Sequence, residues 1–497
     1  MGLGLNGGGL ESARYLALQG AECTITDTKD HKALALSIEI LQNLTEPHTP
    51  FRYVLGKHEI DDFTKADMVI KNPAVRPDSP WLAAARRIET DISLFLAASP
   101  ARLSAITGTK GKSIISSAVH WVLGKAREAG LLGGSSYLGG NIAVSPLTFI
   151  DKLTAADDVV LELSSFQLGD LKGRNLEANP DTFILKPRAA IITGIMPDHQ
   201  DRYGNMETYV NDKRLIYQGQ DKDDITIACA DDSWGQSFLR ESPGRTLPFS
   251  AHPLPAGQAG AWIDPHSGAG LIRGALSNGA NYDGEEIVPP QLLVPGRHQK
   301  KNSLAAALAL FDLGLPIALI RESLSEFPGI GHRLEFFREI NGIHFYNDTA
   351  ATIPEAAAAA VEAFCENPSI SDNTKQDNTK APLILVCGGT DKELDFSPLF
   401  TAIQTALTNS RTLKLVLLEG TGSVKLIKLL TQAGITFKGP YDNIQKAAKT
   451  AMDLALEISG TEKPYGTVVL SPGCASFGMF ANEFDRGWQW KEAVNSL

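Results

Sequence analysis

Short apolar runs alternate with stretches of helical periodicity along most of this chain. Runs at residues 103–106, 158–163 and 189–193 predict buried strands, and residues 114–122 have the spacing of an amphipathic helix. Further strands are predicted at residues 22–26, 67–71, 343–346, 383–386, 413–418 and 467–470. Because strands that alternate with helices form parallel sheets covered on both faces, the pattern predicts an α/β fold.

The pattern divides into three blocks, as expected for a chain of 497 residues. We place the domains at residues 1–99, 100–329 and 330–497. Residues 251–294 are rich in glycine, proline and short apolar pieces, which predicts a small antiparallel appendage. Residues 367–380 are polar throughout and predict a surface insertion.

The amino-acid composition of the chain excludes some classes of binding partner and cofactor. The net charge of −11 argues against nucleic acid, whose phosphates would be repelled. The five cysteines are scattered and never in CxxC spacing, which predicts reduced thiols in a cytoplasmic protein and no zinc site. No apolar stretch has transmembrane length and no signal peptide is visible, so we expect no membrane insertion.

A glycine turn between the strand at 103–106 and the helix at 114–122 is the strongest local signal. It reads Gly108-Thr109-Lys110-Gly111-Lys112-Ser113. Strand, glycine turn and helix direct backbone N–H groups at an anion, with a lysine charge and a serine hydroxyl suited to a magnesium-bound phosphate. The spacing differs from the common P-loop because Ile106 stands where its first glycine would be. The setting favours nucleotide binding.

A second glycine loop lies at residues 2–7 and matches G-x-G-x-x-G, with Asp27 ending the next predicted strand. By itself this weak motif fits either a dinucleotide site or a turn without ligand. The strand that should precede the loop is missing, since only Met1 comes before Gly2. We therefore expect either a truncated or misassigned start, or a sheet without its central strand.

Several polar residues follow the phosphate loop at positions where α/β proteins bind ligands. Glu162 ends the strand at 158–163, where a carboxylate beside a phosphate loop can hold magnesium. His199 follows the strand at 189–193, and Lys213 lies fourteen residues further on. Taken alone, His199 reads as structural and Lys213 as a solvated helix lysine.

Taken together, the ordered segments resemble the Mur ligase family, ATP-dependent enzymes that form the amide bonds of the peptidoglycan stem peptide. The shared segments are residues 107–113, 139–142, 162–167, 198–199, 213, 296–298, 302, 332–333 and 347–348. Residues 201–203, 388–392, 395–399 and 470–477 are similar to members that add D-glutamate to UDP-N-acetylmuramoyl-L-alanine. The resemblance extends from residue 2 to residue 487.

The resemblance implies an acyl-phosphate mechanism with ATP and two Mg²⁺ ions, in which Lys112, His199 and Lys213 are catalytic. Ser113 and Glu162 would hold one ion, and His199 the other, together with a carbamate formed by CO₂ on Lys213. The ATP-binding residues would be Gly108, Thr109, Lys110, Gly111, Lys112, Ser113, Asn302, Arg333 and Asp348.

The resemblance also assigns the three domains. A Rossmann-like domain (1–99) would bind the UDP substrate, a central P-loop ATPase-like domain (100–329) would bind ATP, and a C-terminal Rossmann-like domain (330–497) would bind the amino acid. UDP-substrate contacts would come from Leu5, Asn6, Asp27, Thr28, Asn141 and Gln167, and amino-acid contacts from Thr352, Lys392, Ser476 and Phe477. The enzyme would act on small molecules as a cytoplasmic monomer.

Departures from the family pattern leave the added amino acid open. Ala350 replaces a usual lysine, Ile353 a usual asparagine, and Glu483 stands where an aromatic residue is expected. A family member that adds L-glutamate or another amino acid is therefore an alternative. Rivals from other classes are an NAD-dependent dehydrogenase built on the first glycine loop and a non-catalytic nucleotide-binding module. The dehydrogenase alternative gives no role to the phosphate loop, Glu162 or His199.

Overall fold

The computed structural model describes residues 1–4, 7–44, 50–142, 144–177, 179–275, 281–365, 382–409, 412–459 and 465–497, without the side chains of residues 200 and 201. The chain forms two compact units. The first comprises Met1–Trp262, Leu271–Ile287 and Asn302–Ser323, and the second Ile263–Gly270, Val288–Lys301 and Leu324–Leu497. The predicted division into three domains at residues 99 and 329 stays a prediction.

The first hundred residues contain short strands and helices around two small parallel sheets, β1–β2 and β3–β4. Their elements are α1 (Gly8–Leu18), β1 (Thr24–Asp27), α2 (Ala35–Gln42), β2 (Arg52–Leu55), α3 (Ile60–Lys65), β3 (Val69–Ile70), α4 (Pro80–Ala83), β4 (Ile88–Glu89) and α5 (Asp91–Ala98). The Met1 ammonium donates to the Ile70 carbonyl at 2.9 Å, and the Gly2 N–H donates to the Thr26 carbonyl at 2.8 Å. Met1 and Gly2 therefore lie between β1 and β3.

A nine-stranded sheet forms the centre of the first unit, in the order β15-β14-β13-β12-β11-β10-β5-β7-β6. Its strands are β5 (Arg102–Thr107), β6 (Ser136–Gly140), β7 (Asp158–Glu162), β10 (Ala189–Ile192), β11 (Ile225–Cys229), β12 (Arg245–Ser250), β13 (Gly260–Ile263), β14 (Gly270–Ala275) and β15 (Asn281–Val288). A small antiparallel pair, β8 (Asn175–Leu176) and β9 (Asn179–Phe183), lies apart from it. The pairings from β6 through β13 are parallel.

Helices α6 (Lys112–Glu128), α7 (Ser165–Gly169), α8 (Gln200–Tyr203), α9 (Met206–Arg214), α10 (Ser233–Glu241), α11 (Arg297–Asp312) and α12 (Ile317–Ser325) accompany these strands. Strand β7 is buried at every position because it is covered on both faces, as its unbroken apolar run indicates. The predicted antiparallel appendage at 251–294 contains β13, β14 and β15, and its antiparallel pairing stays a prediction. Strands β13 to β15 extend the central sheet, and β13 joins β12 in parallel.

The second unit is built on a six-stranded sheet in the order β16-β17-β21-β18-β19-β20. Its elements are β16 (Glu335–Ile340), β17 (Ile343–Asn347), α13 (Pro354–Cys365), β18 (Leu383–Gly388), α14 (Ser397–Thr408), β19 (Leu413–Leu418), α15 (Thr421–Gln432), β20 (Lys438–Tyr441), α16 (Ile444–Ser459), β21 (Gly466–Leu470) and α17 (Glu483–Asn495). Only the edge strand β16 pairs antiparallel, within the described registers. The α/β class with parallel sheets is confirmed. Within the described residues, no helix is long and apolar enough to cross a membrane.

Candidate functional site

The phosphate loop leaves β5 and ends where α6 begins at Lys112. Gly108 has φ 135° and Gly111 has φ 90°, conformations that L-residues with side chains avoid. A Cβ on Gly108 would lie 1.8 Å from the Thr193 hydroxyl, and one on Gly111 would lie 2.6 Å from the Asn302 amide oxygen. Close approach at Gly108 and the left-handed backbone at both positions therefore favour glycine. The Asn302 side chain lies against the loop, and its role in nucleotide binding stays a prediction.

Thr109 holds the loop to the segment after β10. Its N–H donates to the Gly194 carbonyl at 3.2 Å, and its hydroxyl accepts from the Met196 N–H at 3.0 Å. The same hydroxyl lies 3.1 Å from the Tyr209 hydroxyl. The Thr109 side chain is therefore engaged by internal contacts, whereas the Lys110 side chain is exposed.

Two lysines converge on one carbonyl of the loop. Lys112 Nζ donates to Gly108 O at 3.3 Å, and Lys213 Nζ, on α9, donates to the same oxygen at 2.9 Å. Lys213 is 1% exposed and lies over the Tyr209 ring. Burial, reinforced by the nearby Lys112 charge, lowers the pKa of Lys213 to about 7. The interpretation of Lys213 as a solvated surface lysine is wrong, because α9 packs this side chain beneath the loop.

Glu162 ends β7, next to β5 in the sheet. Its Oε1 accepts from the Asn141 amide at 2.8 Å, whereas its Oε2 is buried and has no hydrogen-bond partner. A buried carboxylate oxygen without a partner costs free energy unless a ligand completes its coordination. This orphaned atom beside a phosphate loop fits a Mg²⁺ ion, which prefers hard oxygen ligands.

His199 precedes the short helix α8 and has φ 50°, a conformation uncommon for a residue other than glycine. Its ring is half-exposed and lies 4.9 Å from the ring of Phe166, measured between centroids. Among the described residues, no three His, Cys, Asp or Glu side chains gather as a metal site. A magnesium ion here would take part of its coordination from phosphate oxygens and water, as Mg²⁺ commonly does.

Gln167 is used in local structure. Its side-chain oxygen accepts from the Ser164 N–H at 3.0 Å, and its N–H donates to the Ser164 hydroxyl at 3.2 Å, which forms a capping box at α7. Because the side-chain oxygen of Gln167 is used in this cap, the predicted contact with the UDP substrate would be made by its amide nitrogen. Ser113 lies in the first turn of α6 and is partly exposed.

The first glycine loop is described in part. Asp27 is buried and accepts from the Gly4 N–H at 3.1 Å and the Lys29 N–H at 2.9 Å. Thr28 beside it is exposed. The predicted contacts Leu5 and Asn6 lie outside the described residues. The Asp27 carboxylate therefore holds the backbone of the glycine loop at Gly4 and the following turn at Lys29. Of Asp27 and Thr28, only the Thr28 side chain is exposed to a ligand.

In the second unit, Asp348 follows β17 and is almost fully buried. Its carboxylate accepts from the Leu334 N–H at 3.1 Å and from the Ser471 hydroxyl at 2.6 Å. Burial raises the pKa of Asp348 to about 7, because few polar partners replace the lost water. Arg333 precedes Leu334 and is exposed. The two predicted ATP-binding residues of this unit are thus joined through the 332–334 turn.

The predicted amino-acid residues lie at the ends of adjacent parallel strands. The Gly473 N–H donates to Ala351 O at 2.8 Å, next to Thr352, and Thr390 and Ala475 exchange backbone hydrogen bonds between the Lys392 and Ser476 segments. Ser476 is buried, while Lys392 and Phe477 are exposed. The topology brings these three segments together because β17, β21 and β18 are neighbours.

Some structural partners of the site have no sequence signal of their own. Thr193 touches Gly108, Tyr209 underlies Lys213, and Ser471 donates to Asp348. Thr193 ends the apolar run that follows the loop, a position at the ligand-binding edge of a parallel sheet. Tyr209 and Ser471 are found only through packing.

The parallel sheet, the glycine loop at the start of α6 and the carboxylate of Glu162 define an α/β nucleotide-binding protein of the phosphate-loop kind. Residues 106–310 match the model of the Mur ligase middle domain. A UDP-N-acetylmuramoylalanine–D-glutamate ligase of Treponema pallidum is 36% identical, over 100% of this chain and 97% of the relative. Another, of Roseiflexus, is 36% identical over 100% of this chain and 98% of the relative. The chain belongs to the Mur ligase family.

Solved structures agree at the level of the fold. The UDP-N-acetylmuramate–alanine ligase of Thermotoga maritima superposes with a TM-score of 0.53 at 19% identity, covering 100% of this chain and 98% of that one. A ligase of Acinetobacter baumannii gives a TM-score of 0.54 at 13% identity, covering 97% and 92%. The resemblance to this family is confirmed, and it replaces the dehydrogenase alternative that the first glycine loop left open.

Proposed function

We propose that this chain joins D-glutamate to the carboxyl group of UDP-N-acetylmuramoyl-L-alanine and converts ATP to ADP and phosphate. The main support is that full-length relatives at 36% identity are named for this reaction. Mur ligases are ATP-dependent and generally use Mg²⁺. The grouping of Lys112, Lys213 and Glu162 around β5 and β7 is consistent with that chemistry.

A carboxylate is a poor electrophile, so the reaction needs activation. A carboxylate oxygen of the alanyl group attacks the γ-phosphorus of ATP, ADP leaves, and an acyl phosphate forms. The Lys112 ammonium, at the loop, neutralises charge that develops on the phosphoryl oxygens. The amine of glutamate then attacks the acyl carbon and loses a proton, and phosphate leaves as the amide forms.

Magnesium would supply positive charge to the phosphoryl oxygens when bound. Ser113 and Glu162 would hold one ion, and His199 and Lys213 the other. Lys213 can be a magnesium ligand only after its positive charge is replaced by a negative one. The neutral amine adds CO₂ and releases a proton, which forms an anionic carbamate. A pKa of about 7 leaves that amine largely neutral at slightly alkaline pH.

The substrate contacts follow the family assignment. Gly108, Thr109, Lys110, Gly111, Lys112, Ser113, Asn302, Arg333 and Asp348 would bind ATP, and Leu5, Asn6, Asp27, Thr28, Asn141 and Gln167 the UDP substrate. Thr352, Lys392, Ser476 and Phe477 would bind glutamate. The five cysteines are all free thiols, in keeping with a cytoplasmic enzyme.

Phosphate release from ATP in the presence of UDP-N-acetylmuramoyl-L-alanine, with a panel of D- and L-amino acids, tests this proposal. We expect release that depends on both substrates and is fastest with D-glutamate. Heavy oxygen placed in the alanyl carboxylate should appear in the released phosphate, since the acyl phosphate passes one of those oxygens on. A preference for L-glutamate would contradict the proposed amino-acid substrate but not the mechanism. Release of phosphate without the heavy oxygen would contradict the acyl-phosphate mechanism.

A further inference from the structure

The segment Asp201-Arg202-Tyr203 supplies no residue to the reaction above, yet Arg202 has an unusual setting. Its guanidinium carbon lies 3.7 Å from the centroid of the Phe166 ring. One guanidinium nitrogen donates to the Pro73 carbonyl at 3.5 Å, a long hydrogen bond. The Tyr203 hydroxyl, by contrast, donates to Asp212 at 2.9 Å and has a plain structural role.

Two neighbouring cations, Lys71 and Arg174, form ion pairs with buried carboxylates. Lys71 forms a buried ion pair with Asp170 at 2.5 Å. Arg174 donates to Glu89 at 2.7 Å and to the Asp170 carbonyl at 2.7 Å. Within the part of the chain whose side chains are described, no carboxylate forms an ion pair with Arg202. With one long hydrogen bond and one ring contact among the side chains that the structure describes, the Arg202 guanidinium keeps donors for a ligand.

Arg202 lies between the two regions that the UDP substrate must connect. On one side, Phe166 follows Glu162 along the chain and its ring also packs on His199. On the other side, Pro73 follows Asn72, whose side-chain amide donates to Gly2 O at 3.2 Å in the first glycine loop. Arg202 thus contacts Pro73, next to the residue that holds the glycine loop, and Phe166, which follows Glu162.

The chemistry of this position favours an oxyanion. A guanidinium offers a planar fork of donors that matches phosphate and carboxylate oxygens, and its charge persists at all physiological pH values. Stacking on Phe166 holds the fork before the ligand arrives, so less side-chain freedom is lost on binding. A uridine-diphosphate substrate that ends in a carboxylate carries such oxyanions at both ends of its sugar.

We propose that Arg202 binds an oxyanion of the UDP substrate, either a phosphate or the alanyl carboxylate, at a point between the two loops. The identity of the substrate rests on the proposed function, but the binding of an oxyanion at Arg202 does not require turnover.

The test measures binding of UDP and of UDP-N-acetylmuramoyl-L-alanine by calorimetry without ATP, for Arg202→Ala, Arg202→Lys and the native chain. We expect Arg202→Ala to raise the Kd about tenfold or more and Arg202→Lys to raise it less, because a lysine keeps the charge but loses the fork. Equal weakening of both ligands identifies a phosphate, and weakening of the complete substrate alone identifies the carboxylate. The KM for ATP should stay unchanged.

Arg240→Ala is the matched control, because Arg240 is an exposed arginine on α10. Melting temperatures separate loss of binding from loss of folding, and Arg202→Lys keeps the test valid if Arg202→Ala unfolds. Native Kd values in a folded Arg202→Ala protein would overturn the inference and leave the ligase function standing. Arg202-dependent UDP binding without any turnover would overturn the function and leave the inference standing.

Discussion

Lys112 and Lys213 donate to the same backbone oxygen, that of Gly108. They are far apart in the sequence and come from α6 and α9, yet the loop brings their positive charges to a single carbonyl. Burial, and after it the nearby Lys112 charge, disfavours the protonated form of Lys213 and lowers its pKa to about 7. The fold therefore prepares Lys213 to lose its proton beside the loop that carries Lys112.

Lys112→Ala should abolish phosphate release while the chain still folds. Removing one preorganised charge from the transferring phosphoryl group costs about 3 kcal/mol or more in the transition state. The measurement is ATP turnover with both substrates present, alongside the melting temperature. Lys125→Ala, at the other end of α6, is the control. Near-normal turnover by Lys112→Ala would refute the assignment of this loop.

Lys213→Ala should be inactive and should recover part of its activity when short carboxylic acids are added. Such acids can supply the missing oxygen ligands, whereas Lys213→Arg stays positive and should not recover. Phosphate release with a series of added acids is the measurement. Full activity of either variant without an additive would show that no carbamate is needed.

The native enzyme should also respond to bicarbonate in a pH-dependent way. Because CO₂ adds only to the neutral amine and the pKa of Lys213 is about 7, activation by bicarbonate should increase from about pH 6 to about pH 8. Rates with and without bicarbonate, in CO₂-depleted buffer, give the effect. Activation that is flat across this range would contradict the lowered pKa.

Asp348 should make folding stability depend on pH. Its folded pKa of about 7 exceeds the unfolded value of about 3.9, so between these values the folded chain holds the extra proton. The contribution of Asp348 to the free energy of unfolding therefore decreases as pH rises from about 4 to about 7 and is level above that. Asp348→Asn should lack this contribution. Denaturant titrations of both proteins across the range measure it, and parallel pH profiles would contradict the prediction.

Lys392→Ala should raise the KM for D-glutamate about tenfold or more and change that for ATP little. Lys392 is exposed and lies two residues after Thr390, whose backbone pairs with Ala475, and an ammonium there can meet a carboxylate. Steady-state kinetics with each substrate varied in turn provide the comparison, with Lys414→Ala on β19 as control. Equal changes in both KM values would indicate a structural role.

Lys71→Met should destabilise the chain by about 3 kcal/mol, because it leaves the Asp170 carboxylate buried without its partner. Replacing both residues, as Lys71→Met with Asp170→Leu, should recover much of the loss, since no charge then remains buried. Urea unfolding of the single and double variants is the measurement. A double variant no more stable than the single one would contradict this account.

The sequence by itself determined several of the central strands and the glycines of the phosphate loop. The predicted strand at 413–418 coincides with β19, and the one at 103–106 lies within β5. Strands buried on both faces must be apolar throughout, and a left-handed turn needs glycine, so both features are local. The order of motifs also identified the family. The sequence pointed to Glu162 as a strand-end carboxylate, and β7 places it beside the loop.

Only the tertiary structure decided which polar groups are buried. Lys213 lies in the polar stretch Asp212-Lys213-Arg214 and by pattern alone is a solvated lysine. Packing of α9 under the loop buries it, and the Glu162 Oε2 atom loses its partners only when the sheet closes around it. The place of strands β13 to β15 in the central sheet and the stacking of Arg202 on Phe166 likewise had no sequence signal. Desolvation and charge depend on atoms far apart in sequence, so the shifted pKa values and the unpartnered Glu162 Oε2 follow from the folded chain.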